Sequence, residues 1–205
     1  MTRVIAGRAG GRRLRTPQGR ETRPTTDRVR EALFAAVSTW SGAASAAEGL
    51  RGLRVLDLYA GSGALGLEAW SRGAGTVTLV ESDRRTAAVV LANARELGAD
   101  GEARVVTAAV ATFLARGVDG APYDVVLSDP PYPLGEDALA ADLRLLVEQG
   151  WLASSALVVV ERSSRSPEPR WPGGLVDVER RPYGETALWF AHTPAGDTGP
   201  SPEEP

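Results

Sequence analysis

Val55-Leu56-Asp57-Leu58-Tyr59-Ala60-Gly61-Ser62-Gly63-Ala64-Leu65-Gly66 is the stretch that decides the fold. It reads as a short buried strand, a glycine turn and the start of an apolar helix, the opening unit of an open α/β sheet. Two later apolar runs also end in polar groups. One closes on Glu81; the other, Tyr123-Asp124-Val125-Val126-Leu127-Ser128, runs into Asp129-Pro130-Pro131-Tyr132. Ligands of such sheets bind in the crevice beyond the carboxyl ends of the strands, so the three clusters are expected to share one cleft.

Gly61-x-Gly63-x-x-Gly66 followed by Glu81 also matches a dinucleotide fingerprint. Asp57 separates the two readings, because a carboxylate at that strand end repels a pyrophosphate and attracts an ammonium or a sulfonium. S-adenosyl-L-methionine carries both cations. On this reading Gly61 and Gly63 allow close backbone approach. Asp57 faces the methionyl end, and Glu81 accepts hydrogen bonds from the ribose hydroxyls.

Asp129-Pro130-Pro131-Tyr132 supplies the chemistry. Two prolines without N–H groups stop the strand and hold the chain extended, with carbonyl oxygens turned into the cleft. An exocyclic amine is a poor nucleophile, since its lone pair is delocalised into the base. Hydrogen bonds from its two N–H groups to the Asp129 carboxylate and the Pro130 carbonyl favour a pyramidal, more nucleophilic nitrogen. Tyr132 stacks on a base taken out of its own stack. No strong base is required, so the single histidine, His192, is expected to be an ordinary residue at the end of the last strand.

The segments Asp57-Leu58-x-Ala60-Gly61-Ser62-Gly63-x-Leu65-Gly66-x-Glu68-Ala69, Val80-Glu81-x-Asp83-Arg84, Asp129-Pro130-Pro131-Tyr132 and Arg23-Pro24-Thr25-Thr26-Asp27-Arg28-Val29-Arg30-Glu31-Ala32-Leu33-Phe34 resemble the RsmD family, bacterial 16S ribosomal RNA guanine-N2 methyltransferases. The likeness runs over roughly residues 1 to 191. The glycine loop and Asp-Pro-Pro-Tyr are shared with many amino-methyltransferases, and the Arg-Pro-Thr segment narrows the match. The resemblance implies transfer of a methyl group to N2 of a guanine, guanine 966, in small-subunit rRNA, with 16S rRNA or an assembling 30S subunit as partner. It departs from the methyltransferase pattern in one place. An Asp or Asn often follows the third strand to hold the adenine, whereas Val105-Val106-Thr107-Ala108-Ala109-Val110 offers small apolar residues. Backbone groups near Ala109 are expected to serve instead.

The 205 residues, 43% hydrophobic, suffice for one good core. The chain has no cysteine, which excludes a disulfide framework, a thiolate metal site and a cysteine nucleophile. With no signal-like or membrane-length apolar run, a soluble cytoplasmic monomer without metal is expected. All 23 basic residues are arginine, and the net charge of −3 conceals an uneven spread. Residues 1–30 hold nine arginines against Glu21 and Asp27, a net of +7, which leaves −10 for the rest. Arg8, Arg12, Arg13, Arg15, Arg23 and Arg28 are the candidate RNA contacts, and phosphate affinity through them would fall steeply with salt. The alternative is a disordered cationic tail, against which the alternation of Val4-Ile5-Ala6-Gly7 and Arg13-Leu14-Arg15-Thr16 around Gly10-Gly11 suggests a small hairpin.

Thr25 or Thr26 caps a predicted helix over 27–40. A connector at 41–52 leads into strands near 53–58, 76–81, 103–107, 123–128 and 156–162, alternating with helices near 63–72, 84–97, 109–116 and 136–149. Runs at 175–181 and 185–191 flank Pro182-Tyr183-Gly184 as a hairpin. The expected fold is therefore α/β, a Rossmann-like methyltransferase with a seven-stranded mixed sheet whose last strand is antiparallel. The expected division is a basic hairpin and helix over 1–40, the methyltransferase domain over 41–192 and a disordered tail over 193–205. Taken singly, Glu81 reads equally as a solvated strand end and Tyr132 as a core plug. Arg28, Arg30 and Glu31 read equally as surface charges and as contacts to RNA or cofactor, while Trp151 and Trp189 read as core. Adenine-N6 methylation of DNA would suit Asp-Pro-Pro-Tyr as well, although no sizeable DNA-recognition domain accompanies it. A nicotinamide-dependent oxidoreductase, or a nucleotide-binding module without catalysis, remains the reading of the glycine loop alone.

Overall fold

The computed structural model describes residues 2–17, 26–43, 45 and 47–195. Arg23, Pro24 and Thr25 of the Arg-Pro-Thr segment and the tail from residue 196 onward lie outside the described residues. Helix α1, Asp27–Trp40, starts at Thr26, whose side chain accepts from the Val29 N–H. Five parallel strands alternate with helices: β1 (Arg54–Leu58), α2 (Ala64–Ser71), β2 (Thr76–Glu81), α3 (Arg84–Leu97), β3 (Ala103–Thr107), α4 (Val110–Leu114), β4 (Tyr123–Ser128), α5 (Glu136–Glu148) and β5 (Leu152–Ser163). The hairpin β6 (Val176–Tyr183) and β7 (Thr186–His192) completes a sheet of order β3-β2-β1-β4-β5-β7-β6, with β7 antiparallel to both neighbours.

Side-chain alternation sends the two sides of each strand into two cores. Val55, Val125, Leu127 and Val159 pack with α1, α2 and α3. Leu56, Leu58, Val126, Val158 and Val160 pack with α4 and α5. By the same parity Asp57 belongs to the α1–α3 side. The chain winds outward from β1 to β3 and then returns to β4 beside β1, so the strand order reverses between β1 and β4. That is where an open α/β sheet forms its crevice. Thr186 pairs with Ser163 at the cleft end of β5, whereas His192 pairs with Leu157 at the opposite end, away from the cleft.

The elements differ from the sequence expectation in three places. β5 begins at Leu152 rather than 156, because exposed Ser154 and Ser155 interrupt its apolar run. Ser155 takes a left-handed φ of 58°, and the pairing with β4 shifts between Tyr123 and Val125, as at a bulge. The hairpin turn is Gly184-Glu185, with Pro182 inside edge strand β6, where a missing N–H is tolerated. The N-terminal arm folds back with Leu14 N–H on Thr2 O at 2.9 Å and Val4 N–H on Arg12 O at 2.9 Å, but only Arg3 and Arg13 form a strand bridge, and a 3₁₀ turn at Gly7–Ala9 fills the bend.

The arm is packed against the domain. Val4 and Leu14 are buried in the α1–α3 core. Glu68 of α2, fully buried, accepts from Ile5 N–H at 2.6 Å, Ala6 N–H at 3.0 Å and Arg72 Nε at 2.7 Å. Asn93 of α3 accepts from Arg15 N–H at 2.8 Å and donates to Ser62 O at 2.9 Å, so one side chain joins the arm to the glycine loop. No helix among the described residues is long and apolar enough to cross a membrane.

Candidate active site

The carboxyl ends of β1, β2, β4 and β5 open into a cavity of about 860 Å³. Asp57, Gly61, Glu81, Ala109, Asp129, Pro130 and Tyr132 all border it. The register explains why: Asp57 pairs with Leu127 and Leu58 with Val80, which leaves Glu81 and Asp129 one or two residues beyond the same level. Gly63 does not border the cavity. It begins α2 with a φ of 82°, and a Cβ there would stand 2.9 Å from Val90 Cγ1.

Asp57 is fully buried. Its Oδ2 accepts from Gly66 N–H at 2.8 Å, while Oδ1 has no hydrogen-bond partner among the described residues. Gly66 is glycine for a packing reason, since a Cβ would lie 2.7 Å from Leu79 Cδ2 and 3.0 Å from that same Oδ2. Burial pushes the Asp57 carboxyl up to about 8; the Gly66 hydrogen bond opposes the rise, and the charges of Asp129 and Glu81 add to it. Glu81 is buried as well, and not a solvated strand end. Its carboxylate accepts from Gly61 N–H at 3.1 Å and Asp83 N–H at 2.8 Å, so it shapes the glycine loop from beneath.

On the other side of the cavity, Asp129 follows β4 directly. Pro131 O accepts from Leu134 N–H at 2.8 Å, closing a turn around Tyr132. Tyr132 is 66% exposed, which removes the core-plug reading and suits a face offered to an incoming ring. Ala109 precedes α4 and, with Val110 and Ala111, forms an apolar wall.

Among the other residues that border the cavity are Tyr59, Asp142 and Arg162, which the sequence reading did not single out, and Arg30, which it left open between a surface charge and a contact to RNA or cofactor. Tyr59 has a left-handed φ of 64°, a strained conformation for a non-glycine residue, and its hydroxyl donates to Asp142 of α5. Burial raises both groups' pKa, further for Tyr59 through the Asp142 hydrogen bond, while that same bond opposes the rise at Asp142. Arg162 of β5 donates to Leu134 O at 3.2 Å and pairs with Glu136, tying the Asp-Pro-Pro-Tyr loop to the sheet. Arg30 of α1 is 1% exposed, which overturns its reading as a surface charge. Arg30, Asp142 and Arg162 each carried a sequence signal. Arg30, Leu33, Phe34 and Val37 share helical spacing, as do Leu139, Asp142 and Leu143, and Arg162 continues the alternation of Val158 and Val160.

A family model described as Conserved hypothetical protein 95 matches residues 2–192. The Escherichia coli K12 protein named Ribosomal RNA small subunit methyltransferase D is 42% identical over 170 residues, 83% of this chain and 79% of that protein. The chain belongs to the RsmD family. The protein of the same name from Haemophilus influenzae is 36% identical over 168 residues, 80% of each chain. The solved structure of Escherichia coli yhhF superposes with a TM-score of 0.79 at 35% identity, covering 95% of this chain and 98% of that one. A structure of a methyltransferase complexed with S-adenosylhomocysteine matches at a TM-score of 0.56 and 16% identity, a likeness of fold alone. As an RsmD-family chain of Rossmann-like fold, the protein is an S-adenosylmethionine-dependent rRNA methyltransferase.

Five of the candidate RNA contacts of this RsmD chain, Arg8, Arg12, Arg13, Arg15 and Arg28, stand outside the cavity, and Arg23 lies outside the described residues. Arg8 lies 4.0 Å over the Trp70 ring and pairs with Glu102 at 2.7 Å, Arg12 donates to Glu96 O at 2.6 Å, and Arg15 pairs with Glu96. Arg13 and Arg28 make no ion pair among the described residues. The arm's arginines thus spend part of their charge on the acidic body, in exposed pairs weak enough to exchange for phosphate.

Proposed function

We propose that the enzyme methylates the exocyclic N2 of a guanine in 16S rRNA, guanine 966, as naked RNA or within an assembling 30S particle, acting in the cytoplasm as a monomer without metal. One observation carries the reading. Asp129 and the exposed Tyr132 border the same cavity as the buried acids of the glycine loop, so amine and methyl donor can meet within it.

The residues fit S-adenosyl-L-methionine. Asp57 holds a buried, unpartnered Oδ1 on the cavity wall, a seat for a cation. Glu81, fixed by Gly61 and Asp83, borders the cavity with an acceptor carboxylate, the group that ribose hydroxyls donate to. The apolar wall at Ala109 suits an adenine ring, whose edge is left to backbone groups. When bound, the group supplies a methyl on a sulfonium, which the guanine N2 lone pair takes up as the carbon–sulfur bond breaks onto sulfur.

The rest is the work of this chain. The Asp129 carboxylate and the Pro130 carbonyl accept the two N2 hydrogens and aim the lone pair. Tyr132 stacks on the flipped base. The proton becomes acidic only as the new bond forms, so Asp129 or water takes it without a stronger base. The test is mass-spectrometric mapping of rRNA from a strain lacking the gene, beside the parent and a complemented strain. Loss of a single N2-methylguanosine, restored by the gene, is expected. Unchanged rRNA together with loss of N6-methyladenine from DNA would overturn the proposal.

A further inference from the structure

Five carboxylates border the cavity among the described residues: Asp57, Glu81, Asp129, Asp142 and Glu161. They welcome the ammonium and sulfonium of the methyl donor and repel its one anionic group, the α-carboxylate of the methionine end. Only two cationic side chains among the described residues stand against them, Arg30 and Arg162. Arg162 bonds Leu134 O and Glu136 through Nη2 alone and keeps one buried nitrogen, Nε, without a hydrogen-bond partner among the described residues, but by strand parity it faces α5, away from the side on which Asp57 lies.

Arg30 differs in position and has two such nitrogens. It extends from α1 with Leu33 and Phe34, which belong to the same core as the Asp57 side of the sheet. Its Nη2 donates to Asp27 at 2.7 Å, and Asp27 is itself half-exposed and shared with Arg3. Among the described residues neither Nε nor Nη1 has a hydrogen-bond partner, although the residue is 1% exposed and borders the cavity. Buried guanidinium donors left unmade are costly, and they are retained where a ligand completes them.

We infer that Arg30 is the receptor for the α-carboxylate of the methyl donor, completing with Asp57 a site for both charges of the amino-acid end. The inference rests on the cavity being the methyl-donor site. Arg30 lies in the wall and not in bulk water, so the attraction acts at low effective dielectric.

Two ligands that differ only in the carboxylate test this by calorimetry: S-adenosyl-L-homocysteine and its decarboxylated form. Wild type is expected to prefer the first by about 10- to 100-fold, the worth of a charged hydrogen-bonded contact. Arg30→Met should bind the two alike, with the affinity for the decarboxylated form unchanged, and Arg30→Lys should restore part of the preference. Equal losses for both ligands in Arg30→Met would show a structural role and overturn the inference, as would a preference that survives the substitution. Should neither variant fold, the wild-type pair still decides: a preference below threefold overturns the inference, and a strong one supports it. If wild type bound neither ligand, the placement of the methyl donor would fail and the inference with it.

Discussion

Asp57 shows how one residue's burial becomes a measurable pH dependence. Its carboxyl is held near 8 in the fold against an ordinary 3.8, so between those values the folded protein carries a proton that the unfolded chain has lost. The group's contribution to stability therefore declines as pH rises from about 4 to about 8 and is flat above. A bound cation favours the ionised form. Binding of S-adenosylmethionine should release a proton in that window, so affinity should climb with pH, by at most about tenfold per unit, and level off above about 8. Calorimetry in buffers of different ionisation enthalpy reads the released proton directly, and Asp57→Asn should abolish both the release and the slope. At the other end of the cavity the roles divide between chemistry and capture. Asp129→Ala should slow single-turnover methylation by about 10²-fold or more with cofactor saturating. Tyr132→Ala should cost about 1–3 kcal/mol of base capture, and Tyr132→Phe, which keeps the ring, should stay near wild type. An unchanged rate in Asp129→Ala, or a Phe variant as damaged as the Ala one, would remove these assignments.

Among the elements, those with a strong local pattern were legible before the structure. Helix α1 ends where its periodicity and its threonine cap place it, and strands β2, β3 and β4 coincide with their apolar runs. β5 was read short because two serines sit at a bulge, a feature set by pairing with β4 and not by local propensity. The arm was read only in part, since its packing depends on partners about 60 to 80 residues away, Glu68, Ser71 and Asn93, whose polar side chains look like surface until the arm covers them. The same holds for Arg30 and Asp142, which lie on apolar helix faces where a charge is an exception that spacing alone can flag and not explain. Docking of the arm has an energetic consequence. Leu14 is buried in the α1–α3 core, so Leu14→Ala should cost about 2–5 kcal/mol in urea unfolding. A loss below about 0.5 kcal/mol would mean that the arm is not held against α2 in solution. Because Thr2, Thr16 and Pro17 border the cavity, deleting the arm would disturb the cofactor side as well, and substitution of exposed charges is the cleaner probe of RNA contact.

For the whole molecule, the sheet order and the charge distribution set up two kinds of recognition with opposite responses to salt. The cavity lies at the reversal between β1 and β4, lined by buried groups whose interactions counterions screen weakly. The proposed RNA surface, on the arm and α1, carries exposed arginines such as Arg13 and Arg28 against a net of −10 for residues 31–205. Each phosphate contact there should add about 0.7–0.9 to the slope of log affinity against log salt. S-adenosylhomocysteine binding should accordingly change little between low and physiological salt, while binding of small-subunit RNA falls steeply. Arg13→Glu with Arg28→Glu removes two arginines that make no ion pair among the described residues. The double variant should bind RNA more weakly with a shallower salt slope, at unchanged affinity for S-adenosylhomocysteine and unchanged unfolding midpoint. A filter-binding titration across salt concentrations checks this. A parental slope in the double variant would place the RNA on another face, and a parallel loss of cofactor affinity would show that arm and cavity act as one site.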